Sequence, residues 1–156
     1  MAPHVRPMRH ADFLTVVAID AVSFPRPWGE IVLLHALRHR ERSYVGCVAE
    51  NDIGRVLGYA VYEITADQIR VANFAVGPRH RLQGVGRAIV GYLNGKLAKL
   101  PRESLIATVR ESNMPGLKFA RSVGFVATGL VRGHCRETGD DGIAMRFREP
   151  EAAFTL

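Results

Sequence analysis

A chain of 156 residues with 47% hydrophobic and 23% charged residues has the size and balance of a single folded domain, which we expect to span residues 1–156. This composition excludes a disordered chain, and the sequence contains no apolar run near the roughly 20 residues that a membrane-spanning helix needs. The formal net charge of +6 fits an anionic ligand, but the arginines are dispersed and accompany no nucleic-acid-binding motif.

The N-terminal segment and the cysteines both predict a cytoplasmic protein. Residues 1–6 lack the apolar core and small-residue cleavage site of a signal peptide. Cys47 and Cys135 are isolated and lack the spacing of metal ligands, so we expect two buried free thiols of a reducing compartment and no metal site.

Apolar periodicity and turn residues predict four strands and two helices in the first half of the chain. A strand at 5–8 is followed by helices at 11–24 and 30–41, the first stopped by Pro25 and Pro27. Strands follow at 44–49, 56–64 and 69–76, and a hairpin-type turn at 51–54 joins the first two of them.

The second half alternates helices and strands. A helix is expected from 85 to 100, a strand at 105–109, a helix at 115–122 capped by Gly124, and strands at 125–134 and 143–147. The order is therefore β-α-α-β-β-β-α-β-α-β-β. It predicts an α/β fold with a mixed central sheet, flanking helices, an antiparallel front half and one β-α-β crossover.

The segment RLQGVGRA, residues 81–88, lies between a predicted strand and a predicted helix. The first N–H groups of a helix have no acceptor within it and bear partial positive charge, which suits a phosphate. Gly84 and Gly86 leave room for an anion to approach, and the neighbouring arginines can pair with further phosphates. A tight turn without a ligand explains the glycines equally well.

Two known phosphate-binding motifs are excluded for this segment. The dinucleotide fingerprint requires a third glycine where Ile89 stands, and the P-loop requires a lysine where Arg87 stands.

Several segments resemble motifs of one family. Residues 81–86 resemble the Q/R-x-x-G-x-G/A signature with which GNAT superfamily N-acetyltransferases cradle the pyrophosphate of acetyl-CoA. Residues 73–76 are similar to the strand before that signature, and residues 109–113 to the family's V-R-x-S-N segment. Residues 24–28, FPRPW, resemble the F-P-W turn of the RimI-like branch, which acetylates protein N-termini. Because the element order also matches, the chain is identified as a member of this superfamily, with one N-acetyltransferase domain.

The resemblance implies acetyl-CoA as co-substrate, without a metal. The amides of residues 81–87 would hold the pyrophosphate, and the backbone of residues 74–76 would pair with the pantetheine arm like an added strand. Asn113 would lie against that arm. The implied coenzyme-binding residues are Phe74, Ala75, Val76, Arg81, Leu82, Gln83, Gly84, Val85, Gly86, Arg87 and Asn113.

The sequence departs from the family pattern at two positions that usually transfer protons. Thr108 stands where the RimI-like branch has a glutamate base, and Ala120 where it has a tyrosine acid. His134 is the leading replacement, because an imidazole can take up a proton near neutral pH. Glu111 is a second candidate, although strand alternation directs it away from Thr108, which could itself order a water. Purely structural or solvent-exposed roles for His134 and Glu111 stay open.

The absence of the glutamate base affects which acceptor amine we expect. An α-amine with a pKa of about 8 is roughly one-tenth neutral at pH 7, whereas a lysine amine near 10.4 is almost wholly charged. We therefore expect direct attack by the N-terminal amine of a peptide or protein, a ribosomal protein included, with no membrane or dedicated nucleic-acid partner. Two alternatives stay open: acetylation of a small amine such as a polyamine or amino sugar, and a module that binds acetyl-CoA but transfers poorly.

Overall fold

The computed structural model describes residues 2–38, 44–97 and 104–147. Its strands are β1 (His4–Pro7), β2 (Tyr44–Glu50), β3 (Val56–Ile64), β4 (Gln68–Val76), β5 (Ser104–Arg110), β6 (Phe125–Val131) and β7 (Gly142–Phe147). Its α-helices are α1 (Phe13–Ser23), α2 (Gly29–Arg38), α3 (Val85–Leu97) and α4 (Met114–Ser122). The order of the elements is the one that the sequence predicts.

All strands of the described residues join one mixed sheet in the order β1-β2-β3-β4-β5-β7-β6. β1 to β4 are antiparallel neighbours, as expected for the front half. β4 and β5 are parallel because α3 crosses between them, and β7 pairs antiparallel with both β5 and β6. The expected β-α-β crossover is therefore confirmed at the centre of the sheet.

One predicted boundary is wrong in a way that affects the site. The strand expected at 125–134 ends at Val131, because Gly133 adopts a φ of 63° and turns the chain. His134 therefore lies in the loop between β6 and β7 instead of on a strand. The other boundaries differ by one or two residues, and the predicted helix ends at 39–41 and 98–100 fall outside the described residues.

The N-terminus is held by a buried ion-pair network. Arg6 on β1 makes two hydrogen bonds to the Asp12 carboxylate, at 2.7 and 2.9 Å, and one to Glu50 at 2.9 Å. Asp12 also accepts the Arg9 N–H and so caps the short 3-10 turn that precedes α1. Hydrogen bonding to Arg6 lowers the pKa of Asp12.

Each face of the sheet carries its own core. The α3 side buries Ile89 and Leu93 against strand residues that include Tyr62 and Met145, while the α1 side buries Val16 beside α2. Cys47 is buried as expected, but Cys135 is only half-buried, which corrects the prediction for that thiol. Among the described helices, none combines the length and apolar character needed to cross a membrane.

Candidate active site

The pairing of β4 with β5 stops half-way along β4. The register begins at Gln68 with Ser104 and ends at Val71 with Ala107. At the same point the register of β4 against β3 slips, which leaves Ala72 as an extra, bulged residue. A bulge bends its strand, so the two parallel strands separate beyond it and a gap opens between them.

A cavity of about 750 Å³ lies at this gap. Residues 71–74 of β4 and 107–110 of β5 line it, together with residues 22–26 and Trp28 from the connection between α1 and α2. Further lining comes from α4 and its approach, from Arg81 and from His134. α1 packs on β3 and β4, which places the α1–α2 connection on the β4 side of the gap, and the strand order β5-β7-β6 places the β6–β7 loop on the β5 side.

The glycine-bearing loop leads directly into α3. Gly84 has a φ of 80° and open space around it, and Leu82 has a φ of 62° with its side chain fully exposed. The first hydrogen bond of the helix runs from the N–H of Ala88 to the carbonyl of Gly84. The amides of Val85 to Arg87 precede that bond and have no acceptor within the helix.

Gly86 has a different structural reason from Gly84. A Cβ placed on it would lie 2.4 Å from Cε2 and Cζ of Phe119, so a side chain here would displace the ring. Phe119 in turn packs against Phe74 of β4, with ring centroids 5.0 Å apart. The second glycine thus lets α3 approach α4, whereas the sequence assigned it to the approach of an anion.

Of the other predicted coenzyme-binding residues, Arg81 lines the cavity and several others do not. Arg81 lines the cavity and donates from Nε to the carbonyl of Val76 at 3.1 Å. Gln83 instead turns back to the carbonyl of Arg79, at 3.2 Å, and Arg87 is exposed. Ala75 and Val76 are buried, so only their backbone can reach the gap.

Asn113 lines the cavity and also caps the helix α4. Its side-chain oxygen accepts the N–H of Gly116 at 3.0 Å and so caps the N-terminus of α4. A Cβ on Gly116 would lie 2.4 Å from the Asn113 amide nitrogen, so the cap needs a glycine there.

Thr108 and His134 meet across β7. A Cβ placed on Gly142 would lie 2.5 Å from Cγ2 of Thr108 and 2.8 Å from Cγ of His134, so both side chains pack over this glycine. Both residues line the cavity, as does Ala120. The tertiary fold therefore brings the two departures from the family pattern and the leading replacement into the wall of one cavity.

Glu111 is placed elsewhere. β5 ends at Arg110, and the Glu111 N–H donates to the carbonyl of Asp141 at 3.0 Å while its carboxylate accepts the Asp141 N–H at 3.5 Å. The residue is exposed and is absent from the cavity wall. This position matches the solvated strand-end role that the sequence left open.

Cys135, next to His134, is a half-buried thiol whose pKa is lowered. Hydrogen bonds from Thr138 are the main cause, and the Arg110 charge adds to them. The thiol is absent from the cavity wall, in keeping with direct transfer of an acyl group.

Sequence reasoning missed Asp20, which lies on the buried face of α1 with no exposed surface. Its carboxylate accepts hydrogen bonds from the backbone of Trp28 and Gly29 and from the side chains of Tyr59 and Asn73. The available signal was an aspartate four residues after Val16, at a position where the helical period calls for an apolar residue.

Comparison with known proteins agrees with this architecture. The model of the acetyltransferase (GNAT) family matches residues 11–125. A Bacillus subtilis (strain 168) protein named as a putative ribosomal protein bS18-alanine N-acetyltransferase is 28% identical over 141 residues, which is 90% of this chain and 92% of the relative.

Solved structures share the fold. The crystal structure of the ribosomal-protein-S18-alanine N-acetyltransferase from Escherichia coli superimposes with a TM-score of 0.75 at 22% identity, over 99% of each chain. A GNAT family acetyltransferase from Elizabethkingia anophelis with acetyl-CoA bound has a TM-score of 0.72 at 14% identity, over 94% of this chain and 98% of that one.

Proposed function

Because this chain belongs to the acetyltransferase (GNAT) family, we propose that it transfers the acetyl group of acetyl-CoA to the N-terminal α-amine of a peptide or protein. Relatives that match 90% and 84% of this chain are named as ribosomal protein bS18-alanine N-acetyltransferases. A ribosomal protein is accordingly the acceptor to test first, and the cytoplasm is the compartment where it would be met.

The observation that carries this proposal is the gap between β4 and β5. Strand edges that do not pair with each other offer N–H and C=O groups to an extended ligand arm, which the amide-rich pantetheine arm of acetyl-CoA supplies. The gap is continuous with a cavity of about 750 Å³, enough for the arm and an acceptor amine together.

The donor would be held along β4 and at the start of α3. The amides of Val85 to Arg87 lack helical acceptors and suit the pyrophosphate, and the positive φ of Leu82 and Gly84 shapes the loop in front of them. Arg81 would add charge at the cavity wall beside the carbonyl end of β4. Phe74 would pack against the arm, with Asn113 on the opposite side.

The acceptor would react near Thr108 and His134. His134 is the group that takes the proton from the attacking amine, and Thr108 orders a water or the amine beside it. An α-amine needs less help from a base than a lysine amine does, which fits a site with a single imidazole and no glutamate on β5. Positioning beside the thioester supplies the rest of the acceleration.

The whole chain would act as one domain. The sheet is continuous from β1 to β6, and the family model spans the residues that line most of the cavity. We therefore treat residues 1–156 as a single N-acetyltransferase domain.

The test is an acceptor panel that reads released CoA thiol, with mass spectrometry of the products. The panel contains peptides that begin with alanine, the same peptides with a blocked N-terminus and one internal lysine, spermidine, and an amino sugar. We expect acetylation of the free N-terminus and a kcat/KM for the blocked lysine peptide at least about 100-fold lower, because its amine is almost wholly charged at pH 7.

Two outcomes would overturn the proposal. Comparable acetylation of the lysine peptide or a strong preference for a small amine would remove the α-amine assignment. Tight acetyl-CoA binding without turnover of any acceptor would identify a binding module instead.

A further inference from the structure

Asp20 is a fully buried carboxylate, and its hydrogen-bond donors among the described residues are all neutral groups. They are the N–H of Trp28 at 3.4 Å, the N–H of Gly29 at 2.9 Å, the hydroxyl of Tyr59 at 3.3 Å and Nδ2 of Asn73 at 3.1 Å. The Tyr59 hydroxyl has a single hydrogen, which it shares between Asp20 and the side-chain oxygen of Asn73, 3.1 Å away. A buried carboxylate is costly unless its oxygens are satisfied, so these contacts form one interdependent cluster.

Two walls of the cavity meet at this cluster. Trp28 closes the α1–α2 connection that lines the β4 side of the cavity, and Gly29 begins α2 with a φ of 76°. The Asp20 carboxylate therefore caps the N-terminus of α2, where a negative charge is favoured by the helix dipole. Asn73 belongs to β4 and lines the cavity between the bulge at Ala72 and Phe74.

We propose that Asp20 is a positioning residue for acetyl transfer, which sets the acceptor side of the cavity without touching either substrate. It fixes residues 24–28 against β4, and it holds the Asn73 carboxamide with Nδ2 toward Asp20 and the oxygen toward Tyr59. The inference rests on the proposed function, because it requires the acceptor amine to enter between residues 24–28 and β5.

A carboxylate at position 20 can accept hydrogen bonds with both of its oxygens, whereas an amide cannot. Asn at position 20 would present one oxygen and one NH₂ group to neighbours that all direct their hydrogens toward this side chain. Its NH₂ would face either the Gly29 N–H or the Asn73 Nδ2, donor against donor, and one wall would lose its anchor. A buried donor left without an acceptor costs about 1–3 kcal/mol, which is a factor of about 5 to 150 in an equilibrium.

Exchange of the two side chains provides a rescue. In the double variant Asp20→Asn with Asn73→Asp, the new amide donates to the new carboxylate and still accepts the Gly29 N–H with its oxygen, while the Trp28 N–H loses only its long contact of 3.4 Å. Tyr59 donates to the carboxylate at position 73. Each single variant breaks this pattern, since Asn73→Asp alone sets two carboxylates side by side.

The experiment measures the peptide-acceptor KM, kcat, and acetyl-CoA binding by calorimetry for both single variants and the double. We expect Asp20→Asn to raise the acceptor KM about tenfold or more while the acetyl-CoA Kd stays within about twofold, and the double variant to recover most of the loss. If Asp20→Asn does not fold, Tyr59→Phe removes one donor and is expected to raise the acceptor KM about threefold in the same selective way.

Asp12→Asn is the matched control, because Asp12 is also a buried carboxylate, near the start of α1, and does not line the cavity. It should lower stability and leave both substrate constants unchanged. An unchanged acceptor KM in Asp20→Asn, equal losses for acetyl-CoA and acceptor, or no recovery in the double variant would overturn the inference. Failure of the wild-type enzyme to acetylate any peptide would overturn the proposed function instead, so the two failures are distinct.

Discussion

The Arg26 guanidinium and the Glu137 carboxylate meet at 2.9 Å, and their ion pair joins the α1–α2 connection to the β6–β7 loop. The two loops come from opposite sides of the gap between β4 and β5, so the pair crosses that gap. Both side chains are substantially exposed, at 49% and 76%, and such a pair contributes little to folding stability. Its effect should appear in acceptor binding.

Glu137→Gln is therefore expected to raise the acceptor KM about two- to fivefold, because loops that are no longer linked must be ordered when the acceptor binds. Steady-state kinetics at low and high salt is the measurement, and salt should raise the wild-type KM toward that of the variant. The charge-reversed double variant Arg26→Glu with Glu137→Arg should restore the wild-type value. A change of equal size in the acetyl-CoA KM would refute this role.

His134→Ala is expected to lower kcat about 100-fold, the usual size of a lost proton-transfer group. Thr108→Glu in the same background should recover part of this loss, because the new carboxylate would extend from β5 into the cavity that His134 lines. Single-turnover acetylation of a peptide measures both effects. An unchanged kcat in His134→Ala would remove this histidine from the chemistry.

Gly86→Ala is expected to destabilise the fold by about 1–3 kcal/mol, because its Cβ overlaps the Phe119 ring in a packed region. The variant should also weaken acetyl-CoA binding, since Phe119 supports Phe74 in the cavity wall. Urea unfolding and calorimetry measure the two effects.

A smaller side chain at position 119 provides the control for Gly86→Ala. Phe119→Leu in the Gly86→Ala background should regain stability, whereas Gly84→Ala, which meets no atom within 4 Å, should not respond to it. Equal responses of the two glycine variants would show that the Phe119 contact is not the cause.

Asp12→Asn is expected to cost about 2 kcal/mol at pH 7, because Arg6 loses its closest partner but keeps Glu50. The pKa of Asp12 is lowered in the folded state, so its contribution is present above the unfolded value of about 3.9 and is lost as the pH falls through the folded value. Urea unfolding of wild type and variant should therefore differ at pH 7, begin to converge only below about pH 4, and coincide once the pH is below the lowered folded pKa of Asp12. A gap that persists undiminished into acid would contradict this assignment, and Asp52→Asn on the exposed β2–β3 turn is the control.

Local chemistry made much of the fold predictable. Proline and glycine mark the ends of helices and strands. Apolar residues recur at about every second position in the strands and about every three and a half positions in the helices, so each element could be recognised from its own sequence. The exception was the end of β6, where Gly133 turns the chain before His134. Glycine permits a positive φ but does not require it, so its presence alone could not show where the strand stops.

The loop before α3 was easier to predict than the proximity of Thr108 and His134, for a physical reason. Residues 81–87 are contiguous in the chain and run from the loop into the first turn of α3, so their local geometry follows from local sequence. Thr108 and His134 lie 26 positions apart and meet only because β7 inserts between β5 and β6 and places Gly142 beneath both. Strand order is decided by long-range pairing, which no local pattern encodes.

The sequence by itself determined the order of the elements and the glycine loop before α3, because each depends on neighbours along the chain. The tertiary structure alone decided that Gly86 makes room for Phe119, that Glu111 turns away from the cavity, and that Asp20 joins α2 to β4. These depend on which atoms meet after folding, where packing and the satisfaction of buried polar groups select the contacts.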